Sequence, residues 1–302
     1  MLHLSSNSFF DQNQILNLIT PYVDTTKRPR LIEVPSKEVR AIQSSIKKML
    51  NKIDVPENIF SGIKGKSYVD NARIHSISNN NYVYKIDLSA FFPSIPRNYV
   101  YNFFINDLLC SPDVAFALTN LTTVDLSKIT NCDPSVYDFL KNKNITCINH
   151  LISGAPTSQI LSYLANHRMF DDIQKLSNRY GITMSIYVDD ITFSSNEKIP
   201  KRFKESIKSI IIRYGYKLSK GKEKYYIKNY PKLVTGVIIG THGDLLIKNE
   251  LRLKVIKEFK RLQKDPNNDE CRKRLRGLVL AARQVDTNAF QSIYQYVNDV
   301  HK

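Results

Sequence analysis

Ile182-Thr-Met-Ser-Ile-Tyr-Val-Asp-Asp-Ile-Thr-Phe-Ser-Ser195 reads as two apolar, β-rich runs that meet at an acidic pair. Residues 182–188 and 191–195 have the composition of strands, and Asp189-Asp190 between them predicts a tight β-hairpin. A second strand-like run, Tyr82-Val-Tyr-Lys-Ile-Asp87, also ends in an acid. Taken singly, each acid has an ordinary reading as a turn residue or a strand end. On adjacent strands of one sheet they are able to share a pair of Mg²⁺ ions about 3.5–4 Å apart, the arrangement for in-line nucleotidyl transfer. Mg²⁺ takes hard oxygen ligands and few carboxylates, leaving water and substrate phosphates to complete its shell.

Around these strands the periodicity alternates between helix and sheet. An amphipathic helix is expected over 36–53, with Val39, Ile42, Ile46, Met49, Leu50 and Ile53 on one face. Pro96 opens a helix reaching about Leu109, and 111–150 reads as short helices and loops. One long helix is expected after Pro156, with Leu161, Ala165, Met169, Ile173 and Leu176 along a stripe and Gly181 past its end. A helix over 200–214 precedes short strands in about 216–248, and helices over 249–263, 268–284 and 287–300 close the chain. This order implies an α+β body with a helical appendage.

The chain has 302 residues, 44 Lys+Arg against 28 Asp+Glu and a formal net charge of +16. Its 10% aromatic content argues against disorder, and no apolar run reaches the ~18–20 residues of a membrane span. Met1 to Thr20 carries Asp11, Asn13 and Gln14 and is not a secretory signal. Cys110, Cys132, Cys147 and Cys271 form no CxxC pair, against zinc and against a disulfide framework, so a cytoplasmic setting is expected. The excess charge points to a polyanion. It concentrates in 27–52 and in 201–230, where Lys and Arg alternate with Tyr214, Tyr216, Tyr225, Tyr226 and Tyr230. That interleaving suits phosphate tracking with base stacking, although a solvated face with tyrosines in the core reads the same way.

Three motifs in order are Asp87-Leu-Ser-Ala-Phe-Phe-Pro-Ser-Ile95, Gly154-Ala-Pro-Thr-Ser-Gln-Ile-Leu-Ser162 and Tyr187-Val-Asp-Asp190. The set resembles the palm motifs of reverse transcriptases. Asn71-Ala-Arg-Ile-His75 is similar to the NAxxH element of bacterial retron reverse transcriptases, Val234-Thr-Gly236 to their VTG element, and Arg30-Leu-Ile-Glu-Val-Pro35 to the start of their fingers. The likeness runs from about 28 to 290. The resemblance implies a right-hand fold: N-terminal segment and fingers over 1–80, palm with an antiparallel sheet and packed helices over 81–230 (with an insertion at about 111–150), and primer-grip region and helical thumb over 231–302. Ser153 stands where many relatives have Gln, Gln159 where they have Pro, and Val188 where retrons often have Ala. None of these removes a metal ligand, so they bear on substrate fit and fidelity.

The resemblance also implies roles. Asp87 and Asp189 bind two Mg²⁺ ions, with Asp190 assisting. Phe92 stacks below the incoming sugar and excludes a 2′-OH, or else is plain core. Arg30, with Lys27 or Arg28, clamps the triphosphate, for which a guanidinium suits bidentate contact. Gly154 lets backbone approach the template–nucleotide pair. Lys222 touches phosphate or protonates pyrophosphate, or is solvated charge. Asn71 and His75, spaced i, i+4 on a short helix, bind template RNA or brace the fingers. Val234, Thr235 and Gly236 touch RNA or primer where palm meets thumb, or form an ordinary strand with a bulge glycine. Lys254, Lys257, Lys260, Arg272, Lys273, Arg274 and Arg276 offer thumb contacts to phosphate.

The implied function is RNA-directed DNA polymerisation from dNTPs, copying part of a cognate structured noncoding RNA into DNA. Synthesis starts from an RNA 2′-OH, in antiphage defence, with a separately encoded effector protein and with a host RNase H acting on the hybrid. The competing readings are another bacterial defence or group II intron-like reverse transcriptase, and a non-catalytic RNA-binding scaffold with a retained palm.

Overall fold

The computed structural model describes residues 11–26, 28–76, 81–130 and 132–298; Lys27 and the ends of the chain lie outside this set. Asp11 caps a short helix α1 (Gln12–Leu16), followed by an antiparallel ribbon of β1 (Ile19–Asp24) and β2 (Arg30–Pro35) in the register Thr20↔Val34 and Asp24↔Arg30. The Ser36 hydroxyl accepts from the Val39 amide at 3.4 Å and starts α2 (Lys37–Leu50). The buried stripe of α2 is Val39, Ile42, Gln43, Ile46 and Leu50. Met49, expected on that face, is 56% exposed. The i, i+3, i+4, i+7 pattern passes through Gln43 instead, whose amide donates to the Leu121 carbonyl at 2.8 Å.

Helix α3 (Tyr68–Arg73) is held by a capping box of Ser67 and Asp70, and β3 (Tyr82–Asp87) follows. Beyond a 3₁₀ turn at Phe92–Ser94, α4 (Arg97–Asn102) runs on into a π-helical turn, Phe103–Asp107. The poorly patterned stretch 111–150 folds as α5 (Pro112–Thr122), β4 (Thr123–Asp125), α6 (Pro134–Asn142) and β5 (Asn149–Leu151). Its two strands pair in the register Thr123↔Leu151, a ribbon the sequence reading did not include. The long helix expected after Pro156 is broken into α7 (Ser158–Leu164) and α8 (His167–Arg179). Asn166 makes the break: its amide donates to the Ser162 carbonyl at 2.9 Å and its Oδ1 accepts from the Tyr216 hydroxyl, while His167 Nδ1 lies 2.9 Å from the Leu164 carbonyl. Leu161, Met169 and Ile173 remain buried on both sides of the break.

The expected hairpin is β6 (Thr183–Tyr187) and β7 (Asp190–Ser195), followed by α9 (Lys201–Arg213) and β8 (Lys224–Tyr226). The four-stranded sheet has the order β6-β7-β3-β8 with every pair antiparallel. A second sheet, β11-β10-β9, comprises β9 (Lys232–Val234), β10 (Val237–Ile239) and β11 (Leu245–Ile247). The chain ends in α10 (Asn249–Lys264), α11 (Asp269–Val285) and α12 (Gln291–Asn298). One continuous apolar core joins the ribbon, the four-stranded sheet and helices α1, α2 and α4 to α9, while α3 packs Val69 and Ala72 in a second cluster with Val83, Val234, Val237 and Ile239. The last three helices bury Val255, Leu262, Cys271, Leu275, Val279, Ile293 and Val297 among themselves. The α+β body with a helical appendage is therefore present.

The ribbon is docked onto the body at one tight point. A Cβ on Gly154 would lie 2.2 Å from the Glu33 carbonyl oxygen, so only glycine lets these two backbones approach. Around it, the Ser153 amide donates to Glu33 Oε2 at 2.7 Å, Ser153 Oγ accepts from the Glu33 amide at 3.1 Å, and His150 Nε2 lies 2.7 Å from Glu33 Oε1. Gly154→Ala is expected to lower the melting temperature by about 3–8 °C through overpacking. Gly277→Ala, where nothing lies within 4 Å of the added carbon, is expected to leave it unchanged or slightly raised. Thermal melts of the two variants side by side check this.

Candidate active site

The pairing of β3 with β7 brings the acids together. Asp87 lies directly across from Asp190, the Leu88 amide donates to the Asp189 carbonyl at 2.8 Å, and Tyr187↔Asp190 closes the hairpin. The turn is therefore Val188-Asp189, with Asp190 already in β7, one residue earlier than the sequence suggested. Val188 adopts φ +58°, an uncommon conformation for a β-branched residue, and the Ser61 hydroxyl accepts from its amide at 2.9 Å. On the other side of Asp87, the Ser219 amide donates to the Asp87 carbonyl at 2.8 Å.

Electrostatics at this point are strained. Burial, and then the nearby Asp87 charge, push the Asp189 carboxyl up to about 6. Burial also raises Asp190, against the opposing pull of Lys85. Two ammonium groups answer the cluster. Lys222 Nζ sits 2.7 and 2.6 Å from the two Asp87 oxygens, and Lys85 Nζ sits 2.8 Å from Asp190 Oδ2. Asp190 Oδ1 is buried with no hydrogen-bond partner. No group of three His, Cys, Asp or Glu forms a ready-made metal cage among the described residues. The donor set nevertheless fits Mg²⁺: hard carboxylate oxygens, mutually repelling, one of them unpartnered, for an ion that takes most of its shell from water and phosphates.

The other expected site residues fall into two groups. Lys222 joins the acids, and Phe92 lies four residues beyond Leu88 in the 3₁₀ turn, half-buried, its ring 6.4 Å from that of buried Phe91. Arg30 is exposed at the start of β2, across from Asp24, and Arg28 is exposed beside it. Gly154 meets the Glu33 backbone, so its missing side chain makes room for β2.

Asn71 and His75 do not present themselves to nucleic acid. Both are buried, Asn71 on α3 and His75 just past its end. His75 Nδ1 lies 2.7 Å from the Ser194 hydroxyl and Nε2 2.8 Å from the Ser185 hydroxyl, one on each strand of the acidic hairpin. Asn71 donates to Thr235 Oγ1 at 3.3 Å, and that hydroxyl donates to the Tyr68 carbonyl at 2.8 Å. His75 thus braces the acidic hairpin and Asn71 the turn at Thr235. Val234 and Val237 pair across Thr235 (φ +43°) and Gly236 (φ +90°), which makes a two-residue hairpin turn and not a bulge. Val234 is buried against Val69, Ala72 and Val83. Thr235 is an unusual residue for that backbone, and its hydrogen bonds to α3 hold it there. The NAxxH-like and VTG-like elements thus touch each other.

Lys85 is the site residue that the sequence reading missed. The signal was available: on a strand, residues 83, 85 and 87 share a face, so a lysine two before the acid stands beside it.

An antiparallel sheet raising acids on adjacent strands, in a chain this basic, is the arrangement of nucleic-acid polymerases that work through divalent ions. The family model described as Reverse transcriptase (RNA-dependent DNA polymerase) matches residues 21–239, and the chain belongs to that family. It is 29% identical over 211 residues to the Retron Se72 reverse transcriptase of Salmonella heidelberg, covering 67% of this chain and 48% of that protein. It is 26% identical over 265 residues to the Retron Ec83 reverse transcriptase of Escherichia coli, covering 85% and 79%, and 24% identical over 274 residues to Retron Ec73 reverse transcriptase of the same species, covering 87% and 81%. The chain thus spans about half the length of the first of these relatives and about four fifths of the other two.

Burial holds His75 neutral, and with the Lys85 charge lowers it from 6.5 to about 3. The unfolded chain takes up that proton first. The stability from neutral His75 is therefore complete above pH 6.5 and declines as pH falls toward 3, by up to about 1.4 kcal/mol per pH unit. Urea unfolding at pH 7.5 and 5.5 is expected to show about 1.4 kcal/mol more acid loss in the parent than in His75→Gln. Parallel losses in the two proteins would remove His75 as the cause.

Proposed function

We propose that this chain is the RNA-directed DNA polymerase of a retron. It copies part of a cognate structured noncoding RNA into DNA from dNTPs, priming from an RNA 2′-OH, in antiphage defence with a separately encoded effector and with a host RNase H removing template. The ribbon and α2 serve as fingers, the four-stranded sheet and its helices as palm, and α10 to α12 as thumb. The observation that carries this reading is the acid cluster: Asp87 opposite Asp190 with Asp189 half-buried beside them, at a repulsive cost that a fold with no use for it has no reason to keep. The same cost weighs against a scaffold with an idle palm.

Asp87 and Asp189 would hold the two ions, with Asp190 assisting. Bound Mg²⁺ supplies acidification of the primer hydroxyl and charge stabilisation of the pyrophosphate leaving group. Lys222, with its side chain 36% exposed, would exchange the Asp87 carboxylate for a triphosphate oxygen. Phe92 takes the position under the sugar, where a ring would collide with a 2′-OH. Arg30 reaches the triphosphate from the fingers, and the net charge of +16 draws the RNA to the cleft.

Asp189→Asn is expected to keep the parent circular dichroism spectrum and to lose DNA synthesis on an RNA template with a DNA primer by at least about a thousandfold. Synthesis at the parent rate would overturn the assignment. Phe92→Ala is expected to admit ribonucleotides, raising relative rNTP use at least about tenfold in a single-nucleotide extension assay. Unchanged discrimination would return Phe92 to the core.

A further inference from the structure

Lys85 stands in the middle of β3, paired with Thr192 of β7 on one side and Lys224 of β8 on the other. Strand pairing on both sides fixes its backbone, and strand alternation puts its side chain on the face of Asp87. Asp190 lies diagonally across, two residues from Thr192 along β7, within reach of a long side chain. Lys85 Nζ takes Asp190 Oδ2 at 2.8 Å, with side chains only 15% and 22% exposed. Water screens such a pair weakly. Lys222 differs on every count. It follows Gly221 (φ +75°) in a loop, and its side chain is 36% exposed, so it is free to leave Asp87.

The acids therefore carry one removable cation and one permanent cation. We propose that Lys85 is a positioning residue of the catalytic centre: its fixed ammonium neutralises and orients Asp190, so that two net negative charges, those of Asp87 and Asp189, remain to hold a divalent ion. The inference rests on the polymerase reading and adds to it a residue that touches neither substrate nor ion. Three unbalanced carboxylates would bind cations more tightly, with Asp190 released as an additional ligand. A lone Lys85 without Asp190 would repel them.

The test is Mn²⁺ binding to the full chain without nucleic acid, followed by the electron paramagnetic resonance signal of the free ion. Mg²⁺ dependence of DNA synthesis is measured alongside. Lys85→Met is expected to tighten Mn²⁺ binding and Asp190→Asn to weaken it, each on the order of fivefold, as a single charge acts on a divalent ion across a partly wet site. The Lys85→Met/Asp190→Asn double variant is expected to bind more tightly than Asp190→Asn alone, on the order of fivefold, and Lys85→Arg to bind within about twofold of the parent. A purely structural ion pair predicts no opposite shifts and no restoration by the double variant, and either result overturns the proposal. Should Lys85→Met not fold, Asp190→Asn against the double variant decides: equal affinities overturn the proposal, and weaker binding by Asp190→Asn supports it. Asp189→Asn run in parallel separates the two levels. If it retains full synthesis the polymerase reading itself fails, whatever Lys85 does.

Discussion

The ladder between β3 and β7 is the constraint from which the site follows. Its register sets Asp87 opposite Asp190, and the tight turn before Asp190 sets Asp189 beside both. A slip of one residue would turn Asp87 to the face packed with Tyr84, Phe193 and Phe203. Burial of those rings on one side therefore fixes the acids on the other. Packing specifies charge placement here, and the charges bring little stability of their own.

Much of this was legible in the sequence because it is local. β-rich composition marked β3, β6 and β7, and turn residues marked the hairpin to within one position. The helix over 200–214 stands as Lys201–Arg213. What escaped depended on distant partners. β4 and β5 are three residues each and meet across a long insertion, leaving no periodic signal. Asn166 interrupts an apolar stripe that runs unbroken through α7 and α8, because its partners Ser162 and Tyr216 are satisfied only by the fold. Gln43 in place of Met49 on the buried face of α2 has the same origin, the waiting carbonyl of Leu121.

The recognised motifs were easier to find than to interpret. Asn71 and His75 share a short segment, which suggested a common face; the structure buries both against different partners. His75 ties the two strands under the acidic hairpin, while Asn71 and Tyr68 grip the turn at Thr235. Tyr68 also donates through its hydroxyl to the Ala281 carbonyl at 3.2 Å, so α3 is in contact with the acidic hairpin, the β9–β10 turn and α11 at once. Lys85, which no motif flagged, stands closer to the chemistry than either.

The separate apolar interior of α10 to α12 has its own implication. Apart from the seam of Ile247, Ala282 and Ala289, the packing of Val285 on the α3 cluster and the Tyr68 hydrogen bond, the side chains that stabilise these helices belong to the helices themselves. Such a segment constitutes a cooperative unit whose opening need not disturb the sheet below it. Natural variation is then able to reshape its outer surface while the acid cluster stays under a different set of selective pressures.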